Sequence, residues 1–289
     1  MEGCEDTVAY LLAQGAKPDI KDFCGRTALH MASGFDRERI VAMLLAKGAD
    51  PNARDNLGDT PMHYAARRCG RTIPLLISKG ADVDARNKRG ETPLIAAARM
   101  FFRRVEPAET LVRHGGKTEL KDRFGYTALH WAIRVGNGQL ARLLLARMKG
   151  GPDLLVAAGM GDVSLVTNLL RSGASVNKPD GMGGTALHWA AEGSHLEVVK
   201  LLISRGADVN ARNGVNETPL HRAIMSHVTV GPESEPTKEE RLHTVEALVD
   251  AGADVNVRDK AIRRSPLDCA GFKGYTDIAD FLREHGAEQ

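Results

Sequence analysis

Aromatic residues make up only 4% of this 289-residue chain: seven Phe, four Tyr and two Trp. Large rings carry much of the burial in a globular core, so their scarcity argues against one thick core and for a thin architecture. Cysteine is scarce too. Cys4, Cys24, Cys69 and Cys269 form no Cys-x-x-Cys pair and keep no regular spacing, which speaks against a disulfide framework and for reduced thiols in the cytoplasm or nucleus. No apolar run approaches the roughly 20 residues that a membrane helix needs. The N-terminus, MEGCEDTVAY, is acidic where a signal peptide is basic. A hydrophobic content of 43% with a mean hydropathy of −0.26 excludes a disordered chain. Net charge of one sign is also missing, since the total is +2. That figure hides an asymmetry: residues 1–150 hold 25 Lys and Arg against 17 Asp and Glu (+8), and residues 151–289 hold 14 against 20 (−6).

What the chain has in abundance is repetition. A tetrapeptide recurs as TALH at Thr27, TPMH at Thr60, TPLI at Thr92, TALH at Thr127 and Thr185, TPLH at Thr218 and SPLD at Ser265, mostly 33 residues apart. The segment from Pro152 aligns with the one from Thr185 at the same offset and is a degenerate copy, giving eight units after a leading half-unit. An Ala stands five residues after each start (Ala32, Ala65, Ala97, Ala132, Ala157, Ala190, Ala223, Ala270), leaving room for helices to approach. Thr or Ser is a good N-cap, and Pro in the next position suits the first helical residue, so a short helix is expected at each tetrapeptide. A second apolar stretch of helical periodicity follows, stopped by Gly48, Gly80, Gly206 or Gly252. Polar segments such as Asp55–Gly58 and Asp122–Gly125 then read as tight turns projecting from the helices.

Thr-Pro-Leu-His-x-Ala strings at a 33-residue period resemble the ankyrin-repeat family. The resemblance covers essentially residues 1–289. It implies an all-α repeat solenoid of stacked helix-turn-helix units with β-turn fingers, and a concave surface of fingers and first helices that binds proteins.

Departures from the pattern divide the chain. It opens inside a unit, so Val8, Tyr10, Leu11 and Leu12 are expected to lack part of their cover, as in a fragment of a larger protein. The fourth unit, Thr127–Gly151, lacks a finger, and the charge reverses there. We therefore expect a basic array over 1–150 and an acidic array over 151–289, stacked continuously. The Thr218 unit carries an insertion, VTVGPESEPTKEERLH, with Glu233, Glu235, Glu239 and Glu240 and two candidate phosphorylation sites, Ser234 and Thr237. The favoured reading is a Thr237–Glu240 capping box that starts a lengthened second helix. Phe101, Phe102, Arg103 and Arg104 form a two-residue extension whose rings are expected to cover the helix pair beneath.

Five histidines (His30, His63, His130, His188, His221) occupy the tetrapeptide. They recur about once per unit, one repeat height apart, so they cannot converge on one metal ion, and the resemblance implies that they tie adjacent units. Trp131 and Trp189 are expected in the core. With no His-Glu-x-x-His, nucleophile elbow or phosphate-cradling glycine loop, the sequence supports neither catalysis nor a cofactor, metal or small-molecule substrate.

The resemblance places partner binding on the finger tips and on the positions after the Ala pair. In the first half these include Phe23, Arg26, Arg67, Arg68, Lys88 and Arg89. Further along come Arg99, Arg123, Phe124, Tyr126 and Arg134, with Phe35, Leu57 and Met100 beside them. In the second half the set is more apolar: Met160, Met182, Val215, Met225 and Phe272, with Glu192, Glu217 and Lys273. Arg and aromatic residues are enriched at hot spots, so the expected partner is a protein with an acidic segment and apolar anchors. Other readings are a targeting or sensing arm of a larger signalling enzyme, nucleic-acid binding by the basic half, and head-to-tail self-association through the charge split. Finally, the resemblance implies asparagine hydroxylation at Asn210 and Asn256, each preceded by Leu six residues before the Asp-Val-Asn string, against the simpler reading that these side chains satisfy turn backbone.

Overall fold

The computed structural model describes residues 2–100, 104–148, 150–225 and 236–288. Its described residues form helices and turns without a strand. A lone helix, α1 (Glu2–Ala13), precedes three helix pairs: α2 (Ala28–Gly34) with α3 (Glu38–Ala46), α4 (Pro61–Ala66) with α5 (Ile73–Ser78), and α6 (Pro93–Ala98) with α7 (Glu106–Arg113). A fourth pair, α8 (Ala128–Arg134) and α9 (Gly138–Leu145), is followed by α10 (Leu154–Gly159) with α11 (Val163–Arg171) and α12 (Ala186–Glu192) with α13 (Leu196–Ser204). The last pairs are α14 (Pro219–Met225) with α15 (Lys238–Asp250) and α16 (Pro266–Lys273) with α17 (Thr276–Glu284). Two compact units result: residues 1–131 with 142–147, and residues 132–141 with 148–289.

In the first unit α2, α4 and α6 stack in one row, and α1, α3, α5 and α7 in another. The second unit repeats the plan with α10, α12, α14 and α16 against α11, α13, α15 and α17. The eight recurrent Ala are all buried, six of them completely. Such small residues let first helices of six to eight residues approach closely, and leucines fill the seams, so the stack needs few rings. Trp189 is buried, Trp131 is half-buried, and in α1 Leu12 is buried while Tyr10 and Leu11 are exposed.

Five of the eight first helices, α2, α4, α8, α12 and α14, start on a cap in which histidine takes the place that glutamate holds in a capping box. The Thr60 N–H donates to His63 Nδ1 at 3.1 Å. Because Nδ1 accepts there, the ring proton sits on Nε2 and is donated to the Glu91 carbonyl of the next unit, 3.0 Å away. His30 reaches Asp59 O (3.1 Å), His188 reaches Glu217 O (3.1 Å), and His221 reaches Arg264 O (3.2 Å) across the long insertion. The degenerate unit is capped by Asp153, whose carboxylate accepts from Val156 N at 3.1 Å. Thr237 and Glu240 form the expected box at the head of α15, which is 13 residues long. The Thr237 hydroxyl is thus part of a cap, whereas Glu233, Ser234, Glu235, Phe101, Phe102 and Arg103 lie outside the described residues. At the other helix end Gly48 holds φ +84°, a conformation that only glycine adopts cheaply.

Packing in the second unit leaves no room at Gly159. A Cβ there would stand 2.9 Å from both Ile133 Cγ2 and Trp189 Cε3. Gly159→Ala is therefore expected to cost about 1–3 kcal/mol through overpacking. A thermal melt unchanged by the substitution would contradict this packing.

Candidate functional site

Each finger is built on an Asp or Asn whose side-chain oxygen collects backbone N–H groups. Asp55 Oδ1 accepts from Leu57 N and Asp59 N, both at 2.8 Å, and Asp122 Oδ1 accepts from Phe124 N (2.8 Å) and Tyr126 N (3.0 Å). Neighbouring tips are joined by backbone bonds: Asn56 N to Cys24 O (2.9 Å), Lys88 N to Leu57 O (2.9 Å) and Arg123 N to Arg89 O (3.0 Å). The tips of the first unit therefore form one continuous row. First helices are tied to the same fingers, with Tyr64 Oη donating to Asp55 (2.9 Å) and Trp131 Nε1 to Asp122 (2.8 Å). Finger row and first helices thus present one surface.

On this surface Phe23 is 90% exposed, Leu57 60% and Phe35 57%. Exposed rings and aliphatic side chains grouped in this way mark interaction sites rather than ordinary surface. Arg68, Lys88 and Arg123 are exposed and make no ion pair among the described residues. Arg68 lies over the Phe35 ring at 5.9 Å and Arg123 over Phe124, itself half-buried, at 4.6 Å.

Four other cations of the expected set, Arg26, Arg67, Arg89 and Arg99, are bound to carboxylates of the chain itself. Arg26 pairs with Asp22 at 2.8 Å. Arg67 grips Asp59 with both terminal nitrogens, at 2.7 and 3.1 Å, and Arg89 and Arg99 pair with Glu91. Asn87 bridges the two acids, donating to Asp59 at 2.7 Å and to Glu91 at 3.0 Å. Burial pushes the Asp59 carboxyl up, but hydrogen bonds and charge from Arg67 outweigh it and hold the group below its ordinary range. At Glu91 burial is likewise outweighed, by Asn87, Arg99 and Arg89. Sequence reasoning missed these two acids. Their signal was an acid just before the capping Thr with Arg eight residues on, as in Asp59–Arg67 and Glu91–Arg99.

Tyr126 corrects the expectation. It is 1% exposed, stacked on His130 at 5.7 Å and set edge-on to Trp131 at 5.4 Å. The position before the capping Thr points into the stack, as buried Asp59 and Glu91 also show, so a ring placed there becomes core. Arg134 is half-buried in the second unit, its guanidinium 3.8 Å from Met182 Sδ.

The second unit has its own row, joined by Gly214 N to Met182 O (2.7 Å) and Lys260 N to Val215 O (2.8 Å). Val215 (42% exposed), Ile262 (59%) and Phe272 (63%) make it apolar. Arg222 pairs there with Glu192 and Glu217.

Asn210 and Asn256 splice consecutive units. The Asn210 amide donates to Gly252 O (2.9 Å) and accepts from Asp254 N (2.8 Å), and Asn256 makes the same pair with Gly286 O (3.0 Å) and Glu288 N (2.8 Å). Among the described residues no disulfide forms, no group of three His, Cys, Asp or Glu is placed to hold a metal ion, and no helix is long and apolar enough to cross a membrane.

A family model of ankyrin repeats matches residues 1–87, 67–153 and 154–232, and a single-repeat model matches 216–260. Over 195 residues, 64% of its length, the chain is 30% identical to a Danio rerio protein that bears the name palmitoyltransferase ZDHHC13. Over 105 residues it is 30% identical to neurogenic locus notch homolog protein 1 of Mus musculus and 29% identical to that of Homo sapiens. The aligned part spans 28% of the first relative and 4% of the notch proteins.

Proposed function

Because the chain belongs to the ankyrin-repeat family, we propose that it is a protein-interaction module whose first unit grips an extended partner segment along its row of finger tips. An ankyrin array implies such a module, and repeats of this kind are typically non-enzymatic. The observation that carries the finer reading is that the finger tips and first-helix ends expose Phe23, Leu57 and Phe35 together with Arg68, Lys88 and Arg123, which make no ion pair among the described residues. Apolar anchors give such a segment its affinity, and the cations select acidic flanks and speed encounter. Arg26, Arg67, Arg89 and Arg99 contribute less free charge than their number implies, because Asp22, Asp59 and Glu91 offset them.

Phage-displayed random peptides selected on the intact chain test this. Enriched sequences are expected to combine Phe, Leu or Trp with Asp or Glu. Their binding is expected to weaken by about tenfold or more in Phe23→Ser/Leu57→Ser, and to weaken with added salt in the parent but not in Arg68→Gln/Lys88→Gln/Arg123→Gln. Selected peptides indifferent to both variants would refute the reading.

A different partner is proposed for the second unit, where Val215, Ile262 and Phe272 favour an apolar segment with little charge. The charge division between 1–150 and 151–289 supports separate partners for the two halves, and head-to-tail self-association is the alternative use of it. Likeness to a palmitoyltransferase over 28% of that protein's length supports a further reading, a targeting arm of a larger enzyme. Hydroxylation at Asn210 and Asn256 would add one oxygen to each, readable by mass spectrometry.

A further inference from the structure

Three guanidinium groups of the first unit converge on one buried carboxylate. Arg67, which follows α4, brings a terminal nitrogen to 3.8 Å from Glu91 Oε2. Arg89, on a finger tip, brings Nε to 3.4 Å from the same oxygen, and Arg99, which follows α6, pairs with Oε1. The Glu91 side chain is 3% exposed, against 25%, 40% and 34% for the three arginines. The cations therefore lie over the anion with part of each guanidinium in water.

This arrangement keeps an excess of positive charge in one place. Asp59 and Glu91 balance two of the three guanidiniums, and exposed Lys88, next to Arg89 on the same finger, adds a further cation. The groups are also held still. Arg67 is clamped by Asp59, and the Arg99 guanidinium sits over the Trp131 ring at 4.7 Å, a stacking that fixes its plane. Each guanidinium has five N–H donors, and the contacts with Asp59 and Glu91 engage only some of them.

A compact dianion matches such a cluster better than a row of single charges does. In an extended acidic segment, carboxylates on one face stand about 7 Å apart, so few can reach one spot. A phosphoryl group instead brings about 1.5–2 negative charges and three acceptor oxygens to a single point, where several guanidinium edges meet it. We propose that Arg67, Arg89 and Arg99, with Lys88, form a docking site for a phosphorylated side chain of the partner segment. This rests on the reading of the first unit as a peptide-binding surface, with the apolar neighbours of the phosphoryl group at Phe23 and Leu57. The excess charge is greatest here: the finger at 86–91 carries three cations against one acid, whereas those at 21–26 and 121–126 carry two against one and that at 54–59 carries one against two. That pattern favours a peptide over a nucleic acid, whose evenly spaced phosphates want cations all along the row.

Fluorescence anisotropy of the intact chain decides the matter. The probe is a degenerate peptide pool with Phe and Leu fixed beside a central phosphoserine, compared with twins carrying serine or glutamate. The phosphoserine pool is expected to bind at least about tenfold tighter than the serine twin. Arg89→Gln, at a half-buried site whose partner Glu91 keeps Arg67 and Arg99, and Lys88→Gln, at an exposed one, are expected to erase that preference, to weaken the serine twin by far less than the phosphoserine pool, and to preserve the thermal melt. Equal binding of phosphoserine and serine pools, or of phosphoserine and glutamate pools, overturns the phosphoryl site. In that case serine-twin binding that disappears in Phe23→Ser/Leu57→Ser leaves the interaction-module reading standing. Binding of no pool overturns both. A single-stranded RNA that outcompetes the phosphoserine pool assigns the cluster to nucleic acid and overturns the proposal.

Discussion

Replacing Arg67 by Ala is expected to destabilise the first unit by about 3–5 kcal/mol, the range for removing one partner of a buried ion pair. The size follows from what is left behind. Asp59 is 1% exposed and is held ionised by the two hydrogen bonds that Arg67 donates, with Asn87 as its other side-chain donor. Without Arg67 a buried carboxylate keeps its desolvation cost and loses the cation that offset it. Glu91 would keep Arg89 and Arg99, so the loss centres on Asp59. Two comparisons separate this from mere truncation of a long side chain. Arg67→Ala/Asp59→Asn is expected to recover much of the loss, because a neutral amide costs far less to bury than an unpaired charge. Arg67→Lys is expected to recover only part, since an ammonium cannot match both carboxylate oxygens as a fork does. Urea denaturation followed by Trp131 fluorescence in a Trp189→Phe background reads the first unit alone. A loss under about 1 kcal/mol, the usual worth of an exposed pair, would show that the pair is not buried in solution.

His63→Ala is expected to cost about 2–4 kcal/mol, from a lost hydrogen-bond partner at two buried backbone groups together with the cavity left by the ring. The ring is 0% exposed and joins Thr60 N to Glu91 O, so one substitution uncaps α4 and unties it from the next unit. The same burial sets a pH dependence. Burial pushes the pKa of His63 below its ordinary 6.5, and does the same at His30, His188, His195 and His221. The unfolded chain therefore takes up protons first as pH falls. Stability is complete above about pH 6.5 and declines below it, by up to about 1.4 kcal/mol per pH unit for each such histidine, until the folded-state values are reached. Urea midpoints compared at about pH 7.5 and about pH 5.5 should fall in the parent, and fall less in His63→Ala. A midpoint that does not move across this interval would mean that these rings are protonated in the folded chain.

The repeat was legible because its signals are local. Thr or Ser before Pro or Ala, an Ala five residues on, and Gly after the second apolar stretch each act within a few residues. The helix starts at Thr60, Thr92, Thr185 and Ser265 therefore fall where the tetrapeptides put them. Asp153 shows the edge of that legibility: the degenerate unit lacks Thr and His, yet Asp caps its helix by the same chemistry. Even the Thr237–Glu240 box was visible, since both halves of a capping box lie three residues apart.

The binding surface was legible only in outline. Reading residue types by position gave a basic and aromatic row, and Phe23, Leu57, Arg68, Lys88 and Arg123 are exposed as that reading needs. The exposure of Ile262 escaped it, and Tyr126 was assigned to the wrong side. The sequence by itself determined the period, the caps, the helix pairs and the sites where a tip or a helix end presents a side chain, because those depend on neighbours a few residues away. Tertiary structure decided which cations are free. Asp59 meets Arg67, and Glu91 meets Arg67 and Arg99, only when a finger and its adjoining first helices are brought together. Charge adds along a sequence whatever the fold, but charges cancel only where folding brings them into contact.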